Sequence, residues 1–395
     1  MSDLANKVIR VCRELALCTE ESGRTTRTFL SPSMHEVHRQ LGAWMRQAGM
    51  QVSVDAAGNL RGVRPGRLGK RLAIVSHLDT VPNAGAFDGI IGVVLGVALV
   101  ETLVEARIAG PTIEVIGFSE EEGIRFGIPF IGSRAVVGTL DETVLTPGVL
   151  DAIRTFGSDP AHLSGAHLSP ETTACIEFHI EQGPVLESLG LPLGIVDGIV
   201  GQSRLNLTFH GRANHAGTTP MSLRRDALAA AAEWIVEAEK MAANERGLVA
   251  TVGSISAEPN ATNVIPGLTR VSLDVRHACD EARHSSVGGM LAAAEQICAR
   301  RQVRLDYQQR LNQPAVALDA ALRQTLSRSV EASGYPVHHM TSGAGHDAMI
   351  LASHVPTAML FLRSPGGISH HPDESVIAAD VEAAIEAGLE FIRHV

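Results

Sequence analysis

Five short segments of this chain place histidine or carboxylate side chains beside predicted strand ends or turns, where they could hold a metal ion. The chain has 395 residues and 17 histidines, and histidine is the commonest metal ligand in proteins. Mixed nitrogen and oxygen ligands suit zinc, with manganese, cobalt or nickel as alternatives. The candidate residues are His77 with Asp79, Asp88, Glu121 with Glu122, His179, and His370.

The first segment follows a short apolar run and contains His77 and Asp79. Side chains two residues apart on extended chain point the same way. His77 is therefore a candidate ligand, and Asp79 is a candidate for the carboxylate that fixes the tautomer of its ring. A turn capped by an aspartate would show the same pattern.

The carboxylates that follow also have two interpretations. Asp88 precedes a predicted helix, so it is either a helix cap or a carboxylate whose two oxygens bridge two cations. Glu121 and Glu122 belong to a run of three glutamates that begins at Glu120. Adjacent carboxylates repel one another unless positive charge lies among them, but solvated acidic loops are also common.

The last two candidates are histidines near predicted strand ends. His179 lies in a segment that alternates like a strand, where a lone histidine is usually a residue of the core or the surface. His370 is followed by His371. Because adjacent side chains on extended chain point apart, at most one of these two faces a site.

The apolar segments around these residues predict a parallel sheet covered by helices. Leu72–Val75 reads as a buried strand, residues 88–104 as a helix buried on both sides, and Thr112–Phe118 as a second strand. Ligands of such sheets collect beyond the carboxyl ends of the strands. The polar clusters that follow these two strands fall at that edge.

A second region shows alternating strands and amphipathic helices, which predict a small sheet with helices on one side. Strands are predicted at 204–209, 248–255, 270–276 and 303–309, and helices at 226–241 and 281–301. After Pro314 the first pattern returns, with a strand at Thr357–Leu362 and a last helix from Asp380. We therefore predict an α/β fold with a mixed sheet flanked by helices. Its catalytic domain, residues 1–205 and 317–395, is interrupted by an inserted α+β domain, residues 206–316.

Composition argues against several classes of protein. A net charge of −10 and the lack of a basic stretch disfavour nucleic-acid binding. Five scattered cysteines without a C-x-x-C pair indicate reduced thiols. The longest strongly apolar run, residues 90–100, is too short to cross a bilayer. We expect no membrane partner and a cytoplasmic location.

Taken together, these segments resemble the hydantoinase/carbamoylase amidase family, within the di-zinc aminoacylase and exopeptidase superfamily. That family includes N-carbamoyl-L-amino acid hydrolases, allantoate amidohydrolases and β-ureidopropionases. The likeness runs from about Gly23 to the C-terminus in the family's order. The matching segments are His77-Leu78-Asp79-Thr80, Phe87-Asp88-Gly89, Glu121-Glu122-Gly123, Phe178-His179-Ile180-Glu181-Gln182-Gly183, Asn214-His215-Ala216-Gly217-Thr218-Thr219-Pro220-Met221, Asn260-Ala261-Thr262-Asn263-Val264-Ile265-Pro266, Gly343-Ala344-Gly345-His346-Asp347-Ala348 and Ile368-Ser369-His370.

The resemblance implies two divalent metal ions per subunit, with zinc favoured over manganese, cobalt or nickel. It implies the metal ligands His77, Asp88 (bridging), Glu122, His179 and His370. Glu121 would be the general base, His215 would stabilise the oxyanion from the partner subunit, and Asp79, which orients His77, would complete the catalytic set. The substrate contacts would be Gln182, His215, Asn263, Arg276, Gly343 and Ala344. The inserted domain would serve as a lid and join two copies into a homodimer.

Two of these substrate contacts can also be judged from the residues themselves. Arg276 ends an alternating strand, so it is either a plain exposed arginine or a bidentate clamp on a substrate carboxylate. The glycines at 343 and 345 could expose backbone N–H groups to a carboxylate or simply form a tight turn.

We therefore expect a metal-dependent amidohydrolase that cleaves the C–N bond of a small N-carbamoyl (ureido) carboxylate. N-carbamoyl-L-amino acid hydrolase is the first expectation, with allantoate amidohydrolase and β-ureidopropionase as alternatives. A dinuclear aminopeptidase or dipeptidase on the same scaffold, or a non-catalytic relative, are rival hypotheses. The Asn214–Met221 segment and Gln182 favour the carbamoyl branch.

Overall fold

The computed structural model describes residues 2–66 and 69–395. They form two compact units. We call the first, which comprises the chain up to Asp197 and from Ala317 onward, the discontinuous unit. The second, Gly198–Val316, is the inserted unit.

The helices are α1 (Ser2–Ala16), α2 (Pro32–Gln47), α3 (Ile90–Glu105), α4 (Ile131–Val136), α5 (Pro147–Thr155), α6 (Val185–Leu189), α7 (Ala227–Asn244), α8 (Asp280–Arg301), α9 (Ala320–Ala332), α10 (Asp347–Leu351) and α11 (Ala378–His394). The strands are β1 (Gln51–Val54), β2 (Leu60–Arg64), β3 (Arg71–His77), β4 (Thr112–Phe118), β5 (Thr172–Ile180), β6 (Leu193–Ile199), β7 (Gly201–His210), β8 (Asn214–His215), β9 (Val249–Thr251), β10 (Ile255–Glu258), β11 (Val264–Ile265), β12 (Leu268–His277), β13 (Arg304–Gln313), β14 (Val316–Ala317), β15 (His339–Ser342) and β16 (Thr357–Leu362).

A nine-stranded mixed sheet forms the centre of the discontinuous unit, in the order β1-β2-β4-β3-β5-β16-β6-β14 with β15 beside β6. The four central strands, β4, β3, β5 and β16, run parallel. Their residues are almost all buried, as expected where helices cover both faces of a parallel sheet. The carboxyl ends of these four strands therefore meet at one edge, which we call the carboxyl edge.

Helices cover the central strands and thereby bury the apolar residues of these strands. α3 packs on β3, β4 and β5, and it is joined by α1 and α11. α10 contacts β3, β5 and β16 and packs against α4. The predicted mixed sheet flanked by helices is confirmed, and strands β4 and β16 have the predicted bounds.

The inserted unit contains an antiparallel sheet in the order β10-β12-β7-β13, with β9 also beside β12. β7 alternates between buried and accessible residues, and α7 and α8 pack on the sheet around the fully buried Trp234. The compact unit begins at Gly198, eight residues before the predicted boundary at residue 206. The reason is that β7 pairs with β12 along its whole length, from Gly201 onward.

One strand prediction in this unit is wrong. The segment 248–255 was expected to be a single strand, but it contains β9 and the start of β10, separated by residues 252–254. β9 pairs with the Arg276 end of β12, and β10 pairs with the Leu268 end. This segment therefore pairs with β12 in two separate strands, and the alternation of residue types does not reveal the break between them.

None of the helices among residues 2–66 and 69–395 has the length and apolar character needed to cross a bilayer.

Candidate metal centre

The carboxyl edge brings the five predicted ligands together, although they are far apart in the chain. His77 is the last residue of β3, and His179 is the second-last residue of β5. Asp88 lies just before α3, Glu122 follows β4, and His370 follows β16. Each side chain is therefore placed at the carboxyl edge by a strand end, by the loop that follows a strand, or by the start of a helix.

Two groups of three candidate ligands share Asp88. One group is His77, Asp88 and His179, and the other is Asp88, Glu122 and His370. Asp88 Oδ1 lies 3.3 Å from His179 Nε2, and Asp88 Oδ2 lies 3.0 Å from His370 Nε2. The two oxygens of one carboxylate thus face two different groups, which is the arrangement that a bridging ligand needs.

The hydrogen bonds of the two buried histidines assign their tautomers. His179 Nδ1 lies 2.9 Å from the carbonyl oxygen of Ile180, and His77 Nδ1 lies 3.0 Å from the carbonyl oxygen of Asp79. A carbonyl can only accept, so each Nδ1 carries a proton and donates it. In the neutral form of each ring the lone pair of Nε2 is then free to bind a metal ion, and the two Nε2 atoms lie 3.4 Å apart. This is how outer hydrogen bonds commonly orient metal-binding histidines.

A glycine lets His77 reach this position. A Cβ at Gly89 would lie 2.3 Å from His77 Nε2, and Gly89 has φ of +66°. Both the left-handed backbone and the close approach to the ring require a residue without a side chain. The Asp88-Gly89 pair therefore serves the site, rather than only beginning a helix.

Asp79 connects His77 to the segment that carries the two glutamates. Its Oδ1 lies 3.3 Å from His77 Nδ1 and accepts a 3.0 Å hydrogen bond from the backbone N–H of Glu121. Its Oδ2 accepts a 3.1 Å bond from the N–H of Glu122. One buried carboxylate thus orients a candidate ligand and the backbone of the candidate base.

The charge balance at this edge fits divalent cations. Burial raises the pKa of Glu122 to about 7, with the charge of Asp88 adding to the effect. The hydrogen bond to Asp88 raises the pKa of His370 to about 9. Burial would lower the pKa of His77, but the hydrogen bond and charge of Asp79 raise it well above its usual value. Neighbouring carboxylates raise the pKa of both histidines, and burial together with Asp88 raises that of Glu122, so divalent cations would neutralise the excess negative charge at this edge.

Glu121 is buried beside these groups, with 9% of the residue exposed. Burial raises its pKa well above the usual value, and the charges of Glu122 and Asp347 act in the same direction, while His77 opposes them. Glu121 also belongs to a third candidate group with His77 and Glu122. The carboxylate of Glu121 would therefore lie close to a water molecule bound beside His77 and Glu122.

Gln182 lies against the second ligand group. Its Nε2 is 3.0 Å from Asp88 Oδ1 and 3.3 Å from His370 Nε2. Gln182 and His370 both have positive φ, 60° and 55°. Non-glycine residues rarely adopt this conformation, and it concentrates where function requires a particular backbone.

The backbone of Ala344, in the predicted Gly343-Ala344 contact, is held by Ser342. The hydroxyl of Ser342 donates to the carbonyl of Ala344 at 2.9 Å and accepts from its N–H at 3.2 Å. Since that hydroxyl has one proton, the 2.9 Å contact with His346 Nε2 makes the histidine the donor. The Ser342–Gly345 segment is therefore a closed turn built around a hydroxyl.

Three further buried groups were not among the predicted site residues. His346 stacks edge-on against His179, with ring centroids 4.5 Å apart. Glu177, fully buried, accepts a 2.7 Å hydrogen bond from the N–H of Ala348, and Glu374 accepts hydrogen bonds from the N–H groups before α3. A charged residue inside the apolar strand β5 was a usable signal for Glu177. Glu374 offered no such signal, because a glutamate in a polar loop is ordinary.

In the inserted unit, His215 and Asn263 are brought together. β8 pairs with β11, and the N–H of Ala216 donates to the carbonyl of Asn263 at 2.9 Å. His215 is exposed, and its Nδ1 accepts from the N–H groups of Gly217 and Thr218 at 3.0 and 3.2 Å. The neutral ring therefore carries its proton on Nε2, which makes that atom a hydrogen-bond donor.

Arg276 lies elsewhere in the inserted unit. The segment with His215 and Asn263 joins β12 at its Leu268 end, where the N–H of Gly211 bonds to the carbonyl of Gly267 at 2.8 Å. Arg276 stands eight residues along β12 from Leu268, or about 26 Å of strand at ~3.3 Å per residue. Its Nε donates to Asp274 Oδ1 at 2.9 Å, so the guanidinium is held by a carboxylate on its own strand.

Comparison with known proteins places this geometry in a family. Residues 73–394 match the model of Peptidase family M20/M25/M40. The chain is 40% identical to an N-carbamoyl-L-amino acid amidohydrolase of Geobacillus stearothermophilus, covering 90% of this chain and 89% of the relative. It is 37% identical to a probable allantoate deiminase of Oryza sativa subsp. japonica, covering 98% and 88%.

A solved structure agrees over almost the whole length. A hydantoinase/carbamoylase family amidase from Burkholderia multivorans superposes with a TM-score of 0.90 at 31% identity, covering 98% of this chain and 97% of that chain. The chain therefore belongs to Peptidase family M20/M25/M40 and, within it, to the hydantoinase/carbamoylase amidases.

Proposed function

We propose that this chain hydrolyses the C–N bond of the ureido group in a small N-carbamoyl carboxylate, with N-carbamoyl-L-amino acids as the first substrate class. Its family and its amidohydrolase relatives make it a hydrolase that acts on C–N bonds other than peptide bonds. Allantoate is the second candidate substrate, because a relative named as an allantoate deiminase is nearly as similar over more of the chain.

The observation that most strongly supports this proposal is the sharing of Asp88 by two ligand groups beside a buried glutamate. We propose that His77, Asp88 and His179 hold one cation, and that Asp88, Glu122 and His370 hold a second. Zinc is the expected metal, because the ligands mix imidazole and carboxylate. When bound, the two ions would polarise the carbamoyl oxygen and lower the pKa of the attacking water.

Glu121 is the proposed general base. It takes a proton from the attacking water and passes it to the nitrogen that leaves when the C–N bond breaks. Cations among these carboxylates favour the charged form of Glu121, which a base requires. Asp79 supports this role by holding the backbone of Glu121 and the ring of His77 at once.

The oxyanion and the substrate carboxylate are assigned to residues that the family resemblance indicates. The Nε2–H of His215 suits the oxyanion, since its Nδ1 is already an acceptor. Arg276, Asn263, Gln182 and the turn of Gly343 and Ala344 are the proposed contacts to the substrate carboxylate and ureido group. The planar guanidinium of Arg276 suits a carboxylate better than an ammonium does.

We further propose that the active form is a homodimer joined through the inserted unit. The segment that carries His215 joins β12 at its Leu268 end, whereas Arg276 lies near the other end of that strand. A small ureido acid is much shorter than β12, and this separation supports a site that takes the two residues from two copies.

The experiment that tests the proposed function is ammonia release from a panel of substrates. The protein is stripped of metal and reloaded separately with zinc, manganese, cobalt or nickel. N-carbamoyl-L-amino acids, allantoate and β-ureidopropionate are compared with dipeptides as the control class. Turnover of one ureido substrate and not of dipeptides is expected; turnover of dipeptides alone would assign the chain to the peptidases.

A further inference from the structure

Glu374 lies in the segment between β16 and α11 and is 5% exposed. Its Oε1 accepts two backbone hydrogen bonds, from the N–H of Phe87 at 2.9 Å and from the N–H of Asp88 at 3.0 Å. The two partners precede it in the chain by almost three hundred residues. Glu374 therefore closes a long-range contact directly on the backbone of the shared ligand.

The other oxygen of Glu374 contacts the segment that carries His370. The hydroxyl of Ser369, the residue before His370, lies 3.3 Å from Glu374 Oε2 and can donate to it. One carboxylate thus bonds to the backbone at Asp88 and to the residue next to His370. These two ligands belong to the same candidate metal group, in which their side chains lie 3.0 Å apart.

The N–H groups of Phe87 and Asp88 need this acceptor. They lie in a buried turn before α3, whose N-cap residue Gly89 has no side chain to bond to them. A buried N–H without a partner costs about as much as a lost hydrogen bond. Within residues 2–66 and 69–395, no ion pair with Lys, Arg or His is found for Glu374, so its contacts are those of a hydrogen-bond acceptor.

Close packing also holds Glu374 in place. A Cβ at Gly85 would lie 2.3 Å from the Cβ of Glu374 and 2.5 Å from its Oε1. Gly85 does not have a positive φ, so its backbone can accept alanine. Glu374 therefore fits only because residue 85 has no side chain, and Gly85→Ala would displace it without altering any ligand.

We infer that Glu374 is a positioning residue that fixes Asp88 relative to His370 and thereby sets the affinity of the Asp88–Glu122–His370 group for its cation. This inference depends on the metal centre of the proposed function. It attributes the effect on metal affinity to the three hydrogen bonds that Glu374 accepts from Phe87, Asp88 and Ser369. Groups that orient metal ligands in this way typically change metal affinity by about 10–100-fold when they are removed.

The test measures zinc affinity by competition with a chromophoric chelator, on metal-free protein, without any substrate. Glu374→Ala and Gly85→Ala are expected to weaken the binding of one zinc ion, the one assigned to the Asp88–Glu122–His370 group, by about 10–100-fold. Glu374→Gln should stay close to the unaltered protein, because its carbonyl oxygen can accept both N–H groups and its amide can donate to Ser369. Asp373→Asn, at an exposed neighbouring carboxylate, is the matched control and should change nothing.

Circular dichroism and urea unfolding of the metal-free variants establish that each is folded. If Glu374→Ala does not fold, Gly85→Ala and Glu374→Gln still decide the question. Unaltered zinc affinity in folded Gly85→Ala or Glu374→Ala, or a loss in Glu374→Gln as large as in Glu374→Ala, overturns the inference. A parent protein that binds no zinc would instead refute the metal centre, and a parent that binds zinc but hydrolyses no ureido substrate would refute only the proposed function.

Discussion

The separation of Arg276 from the end of β12 where the His215 segment joins leads to a complementation experiment. His215→Ala removes the proposed oxyanion donor, and Arg276→Ala removes the proposed carboxylate clamp. If each active site takes Arg276 from one copy and His215 from its partner, two inactive variants can together build an intact site. Neither substitution touches the candidate metal ligands, so metal content should be the same throughout.

The size of the effect follows from counting sites. Equal amounts of the two chains, paired at random, give mixed dimers in half of the population. In a mixed dimer, one site receives both intact side chains and the other receives both substitutions. About one site in four is then complete, and the mixture should regain about a quarter of the parent activity. At substrate concentrations below the parent KM, each variant alone should have little activity, because loss of one oxyanion donor costs about 10²–10³ in kcat and loss of the carboxylate clamp raises KM.

The two variants are co-expressed with different affinity tags, and ammonia release is measured before and after selection for both tags. Doubly tagged dimers should reach about half of the parent activity per dimer, because one of their two sites is complete. The double variant His215→Ala/Arg276→Ala, tagged in both ways, is the control and should remain inactive. Mixed dimers as inactive as either variant would refute the assignment of the two residues to different copies, and a fully active single variant would remove that residue from the site.

Three other substitutions test the proposed roles separately. Glu121→Gln should lower kcat by about 10²–10⁴-fold while metal content, read by mass spectrometry, is unchanged; normal turnover would exclude Glu121 as the base. Arg276→Lys should raise KM for carboxylate substrates with little change in kcat, because an ammonium cannot replace a bidentate guanidinium; an unchanged KM would argue against the clamp. Gly89→Ala should lose bound metal, since its Cβ would lie 2.3 Å from His77 Nε2. Gly127→Ala, with a similar φ of +69° but nothing within 4 Å of the added Cβ, is the control for backbone strain and should keep its metal.

Much of the scaffold could be predicted because its signals are local. The bounds predicted for β4 and β16 match the structure, since each is a continuous apolar run that a parallel sheet buries on both faces. The helix predicted from residue 226 begins at Ala227, with the side chain of Asp226 accepting from the N–H of Ala229. Capping and periodicity depend on neighbours within a few residues, so they can be read without knowing the fold.

Errors appear where an element depends on a distant partner. β9 and β10 are separate strands because each pairs with a different part of β12, and the inserted unit begins earlier than predicted because β7 pairs along its full length. Glu374 is the same case in the site. Its neighbours in the chain resemble any polar loop, and only its contacts with Phe87 and Asp88 show its position.

The candidate side chains could be named from the sequence alone: His77, His179 and His370, the carboxylates of Asp88 and Glu122, and Glu121, each near a strand end or turn. That much follows from residue types and short-range patterns. The fold was needed to show that the two oxygens of Asp88 face different histidines and that Asp79 holds both His77 and the glutamate segment. It was also needed to show that the segment of His215 joins β12 at its Leu268 end, far along the strand from Arg276. Strand order, register and helix packing set these distances, and they depend on residues from both ends of the chain at once.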